Sequence, residues 1–299
     1  KFEGHYHGMH DYMLFSTASS PASALGHRRS PIPAPTSSGI PKALHNLVIA
    51  LPFNDFETLE RTVRQAWGDV AAIILEPIMG NAAAIMPQPG WLEHIRDLCD
   101  EYGIVMIMDE VKTGFRVAPG GAQELFGVIP DLVTYAKAMG NGFPIAVIGG
   151  KREIMGSVGP GRTAHGGTYC GNVVGTAAAD ATLEIIAQDD ALRTIATRGK
   201  ALIEGISRIL TDAGVAHHVL GVPAMFGIAL CEEEPTDYRT WSRSDNDLYE
   251  RIMLALVRNG AVPDPDGREP WFLCAALSEQ DVADTLNYFE DAVKKVLGK

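Results

Sequence analysis

The sequence predicts an α/β protein in which helices cover both faces of a mostly parallel sheet, with a smaller α/β domain towards the C-terminus. Two observations carry this prediction. Short apolar runs typical of fully buried strands recur over residues 47–150, and helical patterns separate the earlier runs. The pattern of elements then changes near Gln188, so we predict a large domain over residues 1–188 and a smaller one over residues 189–299.

The first half of the chain supplies the strands of the main sheet. An aperiodic segment rich in Ser, Pro, Ala and Gly, from Ser16 to Pro41, is predicted as a long loop. The helix DFETLERTVRQAW has Asp55 as its predicted N-cap, and the helix GWLEHIRDLCDEY follows the second strand. The predicted strands are LVIAL from Leu47, AAIIL from Ala71, GIVMIM from Gly103, LVTYA from Leu132 and IAVIGG from Ile145.

The second half is predicted to hold longer helices and a few short strands. The pattern NVVGTAAADATLEIIAQ from Asn172 indicates a helix, and a second helix is predicted near Ala201–Ala213. The smaller domain then contains the predicted strands HHVL, AMFGIALC and WFLCAAL, a helix from Asn246 to Asn259 and a final helix over SEQDVADTLNYFEDAVKKVL.

Composition argues against several classes of function. The chain has 299 residues, 46% of them hydrophobic, and its formal net charge of -12 argues against general affinity for nucleic acid or an anionic membrane. No apolar stretch of the sequence is long enough to span a membrane. The four cysteines show neither a CxxC pair nor zinc-ligand spacing, which favours reduced thiols in the cytoplasm and no bound metal.

Two charged side chains follow neighbouring strand patterns. The run GIVMIM leads directly into Asp109, and the next run, LVTYA, ends at Lys137. Ligands of parallel α/β folds bind beyond the carboxyl ends of the strands. A turn cap is the structural alternative for Asp109, and a strand end reaching solvent is the alternative for Lys137. An acid and a lysine at one edge fit pyridoxal 5′-phosphate, which needs a lysine for its aldehyde and a carboxylate for its ring nitrogen.

Four motifs carry a resemblance to a known family. They are KFEGHYHG at the start, LEPIMGN from Leu75, DEVKTGFRVAPGGAQELFGVIPDLVTYAKAMGNGFPIAVIGG from Asp109 and HGGTYCGN from His165. In order and spacing they resemble class III aminotransferases, most of all the glutamate-1-semialdehyde aminomutase branch. The resemblance implies a fold-type I, pyridoxal-phosphate-dependent transferase. It also implies an upstream glycine-rich segment that binds the cofactor's phosphate, and we expect the given chain to lack this N-terminal segment.

The resemblance implies a role for each matched residue. Lys137 matches the lysine that forms a Schiff base with the cofactor and then moves a proton, and Asp109 matches the partner of the ring nitrogen. The other cofactor-binding positions implied by the motifs are Val111 and Tyr6 on the two ring faces, His7 beside Tyr6, and Asn81 near the cofactor's phenolic oxygen.

Further matches imply a second subunit and a substrate. Gly167 and Thr168 match the segment that reaches across a dimer to the neighbour's phosphate, which implies a homodimer with a shared active site. Glu269 matches a glutamate near the substrate amine, and Arg268 offers a two-pronged contact to a substrate carboxylate. An exposed turn is the alternative for both residues.

The predicted reaction is the transfer of an amino group from an α- or β-amino acid to an oxo acid. The nearest alternative is a glutamate-1-semialdehyde-type 2,1-aminomutase, in which one molecule is both donor and acceptor. An amino-acid racemase or epimerase is a third option, and a non-catalytic relative that keeps the fold is a fourth. The segment KAMGNGFPIAVIGG differs from the glycine-rich version usual in the aminomutase branch, and this difference favours transamination.

Overall fold

The computed structural model describes residues 1–188 and 190–298, and it divides into two compact units. The first unit comprises Lys1, Asp55–Pro77 and Pro89–Asp190, and the second comprises Phe2–Asn54, Ile78–Gln88 and the residues from Ala191 onward. The change of unit between Asp190 and Ala191 falls close to the predicted boundary. Phe2–Asn54 and Ile78–Gln88, however, belong to the same unit as the C-terminal residues. The assignment of residues 1–188 as a cofactor-binding domain stays a prediction.

Strands in the described part of the chain are short and form separate two-, four- and three-stranded sheets. A small hairpin, β1 (Gly26–His27) and β2 (Ser30–Pro31), lies within the segment predicted as a long loop. The sheet of the first unit consists of β3 (Ala72–Leu75), β4 (Val105–Asp109), β5 (Leu132–Tyr135) and β6 (Val147–Gly150). The sheet of the second unit consists of β7 (His218–Val222), β8 (Met225–Ala229) and β9 (Trp271–Phe272).

Helices make up much of the remaining structure. In chain order the α-helices of the described residues are α1 (Phe56–Ala66), α2 (Trp91–Tyr102), α3 (Gly121–Phe126), α4 (Arg152–Met155), α5 (Val173–Gln188), α6 (Ala191–Asp212), α7 (Tyr238–Trp241), α8 (Asn246–Asn259) and α9 (Glu279–Leu297). Helix α6 begins well before the predicted start near Ala201. None of these helices is both long and apolar enough to cross a membrane.

The sheet of the first unit has the strand order β3–β4–β5–β6. Strands β3, β4 and β5 are parallel, whereas β6 runs antiparallel to β5. The register pairs Leu75 with Met108 and Asp109 with Thr134, so the carboxyl ends of β4 and β5 lie side by side. The predicted mostly parallel sheet is confirmed in this unit.

Helices α1 and α2 have the ends that their sequences predict. Asp55 is the N-cap of α1, because its Oδ1 accepts a 3.0 Å hydrogen bond from the backbone N–H of Thr58. Helix α2 ends at Tyr102, and Gly103 after it has a left-handed backbone (φ 67°) that lets its N–H bond to the carbonyl of Cys99. The fully buried Trp91 packs edge-on against Phe56, with ring centroids 5.1 Å apart, and this contact joins the two helices.

The second unit has its own hydrophobic core. Helices α6, α8 and α9 pack with the antiparallel β7–β8–β9 sheet, whose central strand β8 is buried along its whole length. Helices α6 and α9 approach closely because Gly205 has no side chain, and a Cβ at that position would overlap Leu286. Phe226, Leu256 and Phe289 lie at the centre of the cluster, each almost fully buried.

Two predicted strands are wrong in whole or in part. In the LVIAL run, Leu47 ends a 3-10 helix, and only Leu51 makes an isolated parallel bridge, to Phe2. Leu47 and Ile49 are exposed, so this run is not the buried strand that its apolar residues indicated. The run WFLCAAL forms a strand only over β9. In both cases a strand persists only as far as it has a pairing partner.

Candidate active site

Asp109 is the last residue of β4 and is buried, with 7% of its surface exposed. Its Oδ1 accepts a 3.1 Å hydrogen bond from the backbone N–H of Val111 and a 3.0 Å hydrogen bond from the hydroxyl of Thr134 on β5. The first bond closes a tight turn after the strand, and the second crosses to the neighbouring strand. The carboxyl group is therefore held in one orientation at the edge of the sheet.

Lys137 follows β5 after one intervening residue and begins a 3-10 helix that ends at Gly140. Its backbone is left-handed (φ 49°), which is uncommon for a residue other than glycine and costs about 1–2 kcal/mol. Ala136 before it is extended, and the carbonyl of Ala136 accepts a 3.2 Å hydrogen bond from the N–H of Met139. The side chain of Lys137 is exposed. Strand and turn together bring a primary amine to this edge of the sheet.

The residue after β4, Glu110, has no exposed surface, and the sequence motifs assign it no role. Its Oε2 accepts hydrogen bonds from the hydroxyl of Thr113 (2.9 Å) and the N–H of Ala122 (2.5 Å). Its Oε1 accepts from the N–H (3.1 Å) and Nε2 (3.2 Å) of Gln123. Gly121 (φ 74°) makes room for the carboxylate, which a Cβ would overlap. A second acid directly after a buried strand is the signal that could have revealed this anchor.

The last residue of β5, Tyr135, is tied to the same group of residues. Gln123 Nε2 donates a 2.6 Å hydrogen bond to Tyr135 Oη. The tyrosine ring lies 5.0 Å from the ring of Phe115 and fills the space beside Gly114, where a Cβ would overlap it. Burial, and then the charge of Glu110, raise the pKa of Tyr135 to about 12. The hydroxyl is therefore neutral at physiological pH.

The segment that holds Gly167 and Thr168 is exposed throughout residues 161–170. Its end is anchored by Asn172, whose Oδ1 accepts a 2.7 Å hydrogen bond from the N–H of Gly175 at the start of α5. The Nδ2 of Asn172 donates a 3.2 Å hydrogen bond to the carbonyl of Pro144. An anchored loop thus presents Thr168 on the surface.

In the second unit, Asn81 precedes a strained turn. Ala83 and Ala84 both have left-handed backbones, with φ of 50° and 58°. The N–H of Ala83 donates a 3.2 Å hydrogen bond to the carbonyl of Arg268, and its backbone packs so closely on Gly227 of β8 that a Cβ there would overlap it. Two adjacent left-handed alanines are costly. We infer that this packing, rather than local preference, determines the shape of the turn after Asn81.

Arg268 is already engaged by a neighbouring acid. Its Nε donates to both carboxylate oxygens of Asp266, at 2.9 and 2.8 Å, and its Nη2 also donates to Asp266. Its Nη1 donates to the carbonyl of Ala18 (3.3 Å) and the hydroxyl of Ser19 (3.4 Å). The hydrogen bonds from Arg268 hold the pKa of Asp266 below its usual range. The guanidinium predicted to bind a substrate carboxylate therefore pairs with a carboxylate of the chain, and Glu269 beside it is half-buried.

Tyr6 and His7 also lie in the second unit. Tyr6 is 41% exposed, whereas His7 is half-buried and its ring packs against that of His5, with centroids 5.9 Å apart. Among residues 1–188 and 190–298, no group of three or more His, Cys, Asp or Glu side chains is arranged to hold a metal ion.

The predicted site residues thus fall into two groups. The first unit holds Asp109, Val111, Lys137, Gly167 and Thr168, and the second holds Tyr6, His7, Asn81, Arg268 and Glu269. Within the first group, a buried carboxylate and a primary amine follow adjoining parallel strands. A carboxylate to pair with a protonated ring nitrogen and an amine to condense with an aldehyde fit a ligand that carries both groups.

Comparisons with known proteins point to one family. The protein-family model for Aminotransferase class-III matches residues 1–293. Similar proteins include the glutamate-1-semialdehyde 2,1-aminomutases of Aquifex aeolicus, 35% identical over 297 residues, and of Methanosarcina acetivorans, 38% identical over 290 residues. The matches cover 99% and 97% of this chain and 68% and 66% of the relatives. The chain therefore spans about two thirds of their length.

Solved structures share the fold. The crystal structure of an omega-transaminase from Sphaerobacter thermophilus matches with a TM-score of 0.90 and 31% sequence identity, over 99% of this chain and 67% of the transaminase. A glutamate-1-semialdehyde-aminomutase from Pseudomonas aeruginosa PAO1 matches with a TM-score of 0.81 and 24% identity, over 99% of this chain and 65% of that one. The second likeness is evidence for the fold alone.

Proposed function

The chain belongs to the class-III aminotransferases, and on that premise we propose that it transfers an amino group from an α- or β-amino acid to an oxo acid. Enzymes of this family depend on pyridoxal 5′-phosphate. The observation that carries the proposal is the placing of Asp109 and Lys137 after adjoining parallel strands. A lysine kept in a strained backbone conformation is typical of functional sites.

Each of these residues has a proposed task. When bound, the cofactor supplies an aldehyde and a ring that withdraws electrons from the substrate carbon. Asp109 keeps a proton on the ring nitrogen, because its carboxylate is oriented by Thr134 and by the N–H of Val111. Lys137 Nζ would hold the cofactor through its aldehyde and, once released, would serve as the base that takes the proton from the substrate carbon. Val111 would contribute an apolar contact to the bound cofactor.

For five residues of the second unit we propose the roles that the family resemblance implies. Tyr6, His7 and Asn81 would help to hold the cofactor. Glu269 binds near the substrate amine, and Arg268 binds a substrate carboxylate. Arg268 can do so only by exchanging Asp266 for the substrate, since these two side chains pair in the structure.

We propose that the enzyme is a homodimer in which Gly167 and Thr168 of one subunit bind the phosphate of the partner's cofactor. Both residues are exposed. Next to them Tyr169 is 84% exposed and Val173 is 82% exposed. Neighbouring exposed apolar side chains of this size are typical of a protein interface, which supports the proposal. The molar mass in solution, measured by light scattering, tests it.

A reducing, cytoplasmic compartment is the proposed location. All four cysteines are free thiols, among them the exposed Cys170 and Cys274. Exposed free thiols are prone to oxidation outside a reducing compartment. Cys99 is buried, and burial raises its pKa to about 12, so this thiol is inert.

A 2,1-aminomutase reaction is the second candidate function. It is supported by the sequence identity of 35% and 38% to two glutamate-1-semialdehyde 2,1-aminomutases. Asp109 and Lys137 would have the same tasks in this reaction. The difference is that the deaminated product stays bound and receives the amino group at a neighbouring carbon.

Product analysis separates the two reactions. The protein with pyridoxal 5′-phosphate is incubated with a panel of amino donors and either pyruvate or 2-oxoglutarate, and separately with glutamate 1-semialdehyde alone. We expect amino transfer that requires both a donor and an oxo acid, and that is lost in Lys137→Ala. Conversion of the aminoaldehyde to its isomer without an added oxo acid would instead identify an aminomutase. No transfer in any mixture would overturn both functions.

A further inference from the structure

A set of side-chain hydrogen bonds continues where the backbone pairing of β4 and β5 ends. The last pair in the register is Asp109 with Thr134, and the N–H of Glu110 then donates a 3.0 Å hydrogen bond to the carbonyl of Thr134. Lys137 follows three residues after Thr134, at the start of the 3-10 helix. Beyond this last backbone bond, side chains connect the two strand ends.

Gln123 is the centre of this connection. Its Nε2 donates to Glu110 Oε1 (3.2 Å) and to Tyr135 Oη (2.6 Å). One amide therefore bridges the residue after β4 and the last residue of β5. The backbone N–H of Gln123 also donates to Glu110 Oε1 (3.1 Å), which fixes the base of the bridging side chain. Glu110 is fully buried, so losing these donors would remove the compensation at its Oε1 for lost hydration, while Thr113 and Ala122 still donate to its Oε2.

Tyr135 is held on its other sides by packing. Its ring contacts that of Phe115 and occupies the space that Gly114 leaves open. Only the extended residue Ala136 separates Tyr135 from Lys137. A movement of Tyr135 is therefore transmitted directly to the backbone of Lys137.

We propose that Gln123 and Tyr135 are positioning residues, anchored on Glu110, that hold the strand end carrying Lys137 in place relative to Asp109. That the position of Lys137 relative to Asp109 matters for catalysis rests on the proposed function. The link that Gln123 makes between the two strand ends, here called the coupling, is present without the cofactor. It can therefore be measured on the cofactor-free protein. A purely structural bridge would change stability and leave the chemistry of Lys137 unaffected.

Three variants and one matched control test the proposal. Tyr135→Phe removes the hydroxyl and keeps the ring, and Gln123→Leu removes the amide at similar size. The double variant shows whether the two residues act through one shared bond. The control is Tyr249→Phe, which removes another tyrosine hydroxyl that accepts a hydrogen bond, 3.2 Å long, from Trp271 in the second unit.

Hydrogen exchange of the cofactor-free protein measures the coupling, at the amides of residues 109–111 and 136–139. We expect about three- to tenfold faster exchange at both strand ends in Tyr135→Phe, the effect of losing one hydrogen bond, and at least as large an increase in Gln123→Leu, which loses two. The double variant should exchange no faster than Gln123→Leu, and Tyr249→Phe should match the unchanged protein. Unchanged exchange in the Tyr135 and Gln123 variants overturns the proposal, whether or not cofactor binds.

Kinetics and absorbance measure the consequence for the site. In Tyr135→Phe we expect kcat to fall about tenfold with KM for the donor nearly unchanged, because the amine is misplaced rather than the substrate. The pH at which the bound cofactor changes its absorbance should shift as well. Faster exchange with unchanged kcat and absorbance makes the bridge purely structural and overturns the proposal. If the unchanged protein binds no cofactor, the proposed function fails, and the exchange result alone decides the coupling.

Discussion

The hydroxyl of Thr134 donates a 3.0 Å hydrogen bond to Oδ1 of Asp109, across two paired parallel strands. The bond links a carboxylate proposed to face the cofactor with the strand that leads to Lys137. Hydrogen bonds to charged groups contribute about 1.5–3 kcal/mol, more than those between neutral groups. Thr134 is therefore expected to affect ligand binding, although the motif that contains it implies no role for it.

Replacing Thr134 with valine should weaken cofactor binding. Valine keeps the shape of the side chain but removes the hydroxyl, so Asp109 is less firmly oriented. We expect the dissociation constant of pyridoxal 5′-phosphate to rise about tenfold, measured by absorbance titration. Thr134→Ser retains the hydroxyl and should stay close to the unchanged protein. Equal weakening in both variants would contradict the role of this bond.

Removing the amine of Lys137 should abolish covalent cofactor binding. In Lys137→Ala we expect no borohydride-fixed cofactor and a transfer rate reduced by about a thousandfold or more. Peptide mass spectrometry after borohydride treatment should find the cofactor on Lys137 in the unchanged protein. Lys200→Ala is the control, because Lys200 is 73% exposed in a surface pair with Glu204. Cofactor attached to a different lysine would refute the assignment.

A side chain at Gly227 should disturb the turn after Asn81. A Cβ at this position overlaps backbone atoms of Ala83, which cannot move aside as a flexible side chain can. For Gly227→Ala we expect a loss of about 1–3 kcal/mol in the free energy of unfolding, measured with urea. Gly68→Ala is the control, since a Cβ there meets nothing within 4 Å. If the two variants have the same free energy of unfolding, the backbone of Ala83 can move away from a Cβ at position 227 at little cost.

Asp131 makes the first unit sensitive to acid. Its Oδ2 accepts hydrogen bonds from Arg96 (2.9 Å) and the N–H of Met106 (2.7 Å), and its Oδ1 pairs with Lys151 (2.6 Å). Burial acts to raise the pKa of Asp131, but these partners outweigh it and hold the pKa below its usual value. The resulting stabilisation is complete above the unfolded pKa of about 4 and is lost as the pH falls through the folded pKa.

Asp131→Asn should therefore cost most at neutral pH. We expect a loss of about 2–3 kcal/mol in the free energy of unfolding at pH 7, shrinking as the pH falls below about 4. Urea unfolding over a pH series measures the loss at pH 7 and its decrease at lower pH. The matched control is Asp100→Asn, because Asp100 binds the same Arg96 at 2.7 Å but is 63% exposed, so its loss should be about 0.5 kcal/mol or less. A pH-independent loss at Asp131 would contradict this account.

Local patterns were sufficient for the strand ends that carry Asp109 and Lys137. Each apolar run stops where a charged or small residue takes over, and that change is visible in the sequence itself. The N-cap of α1 is equally local, because Asp55 and its bonding partner lie within one turn. The LVIAL run shows the limit of such patterns. Apolar residues indicate that a strand is possible, but not whether a neighbouring strand is available to pair with it.

Features that depend on distant residues were not predictable. The bridge through Gln123 needs Glu110 and Tyr135 on either side of a folded loop, and no spacing in the sequence marks that arrangement. The same holds for the bond between the turn after Asn81 and Arg268, which are far apart along the chain. The pairing of Arg268 with Asp266 was also missed, because an acid two residues away in the sequence can equally point away from the arginine.

The left-handed backbone at Lys137 also bears on how this chain would change over evolutionary time. Glycine or asparagine would adopt this conformation at lower cost, so the fold alone gives no reason to keep a lysine there. In a descendant that has lost its chemistry, drift at this position would run towards those two residues. The identity of this one residue in related sequences should therefore separate lineages that still turn over substrate from those that have become scaffolds.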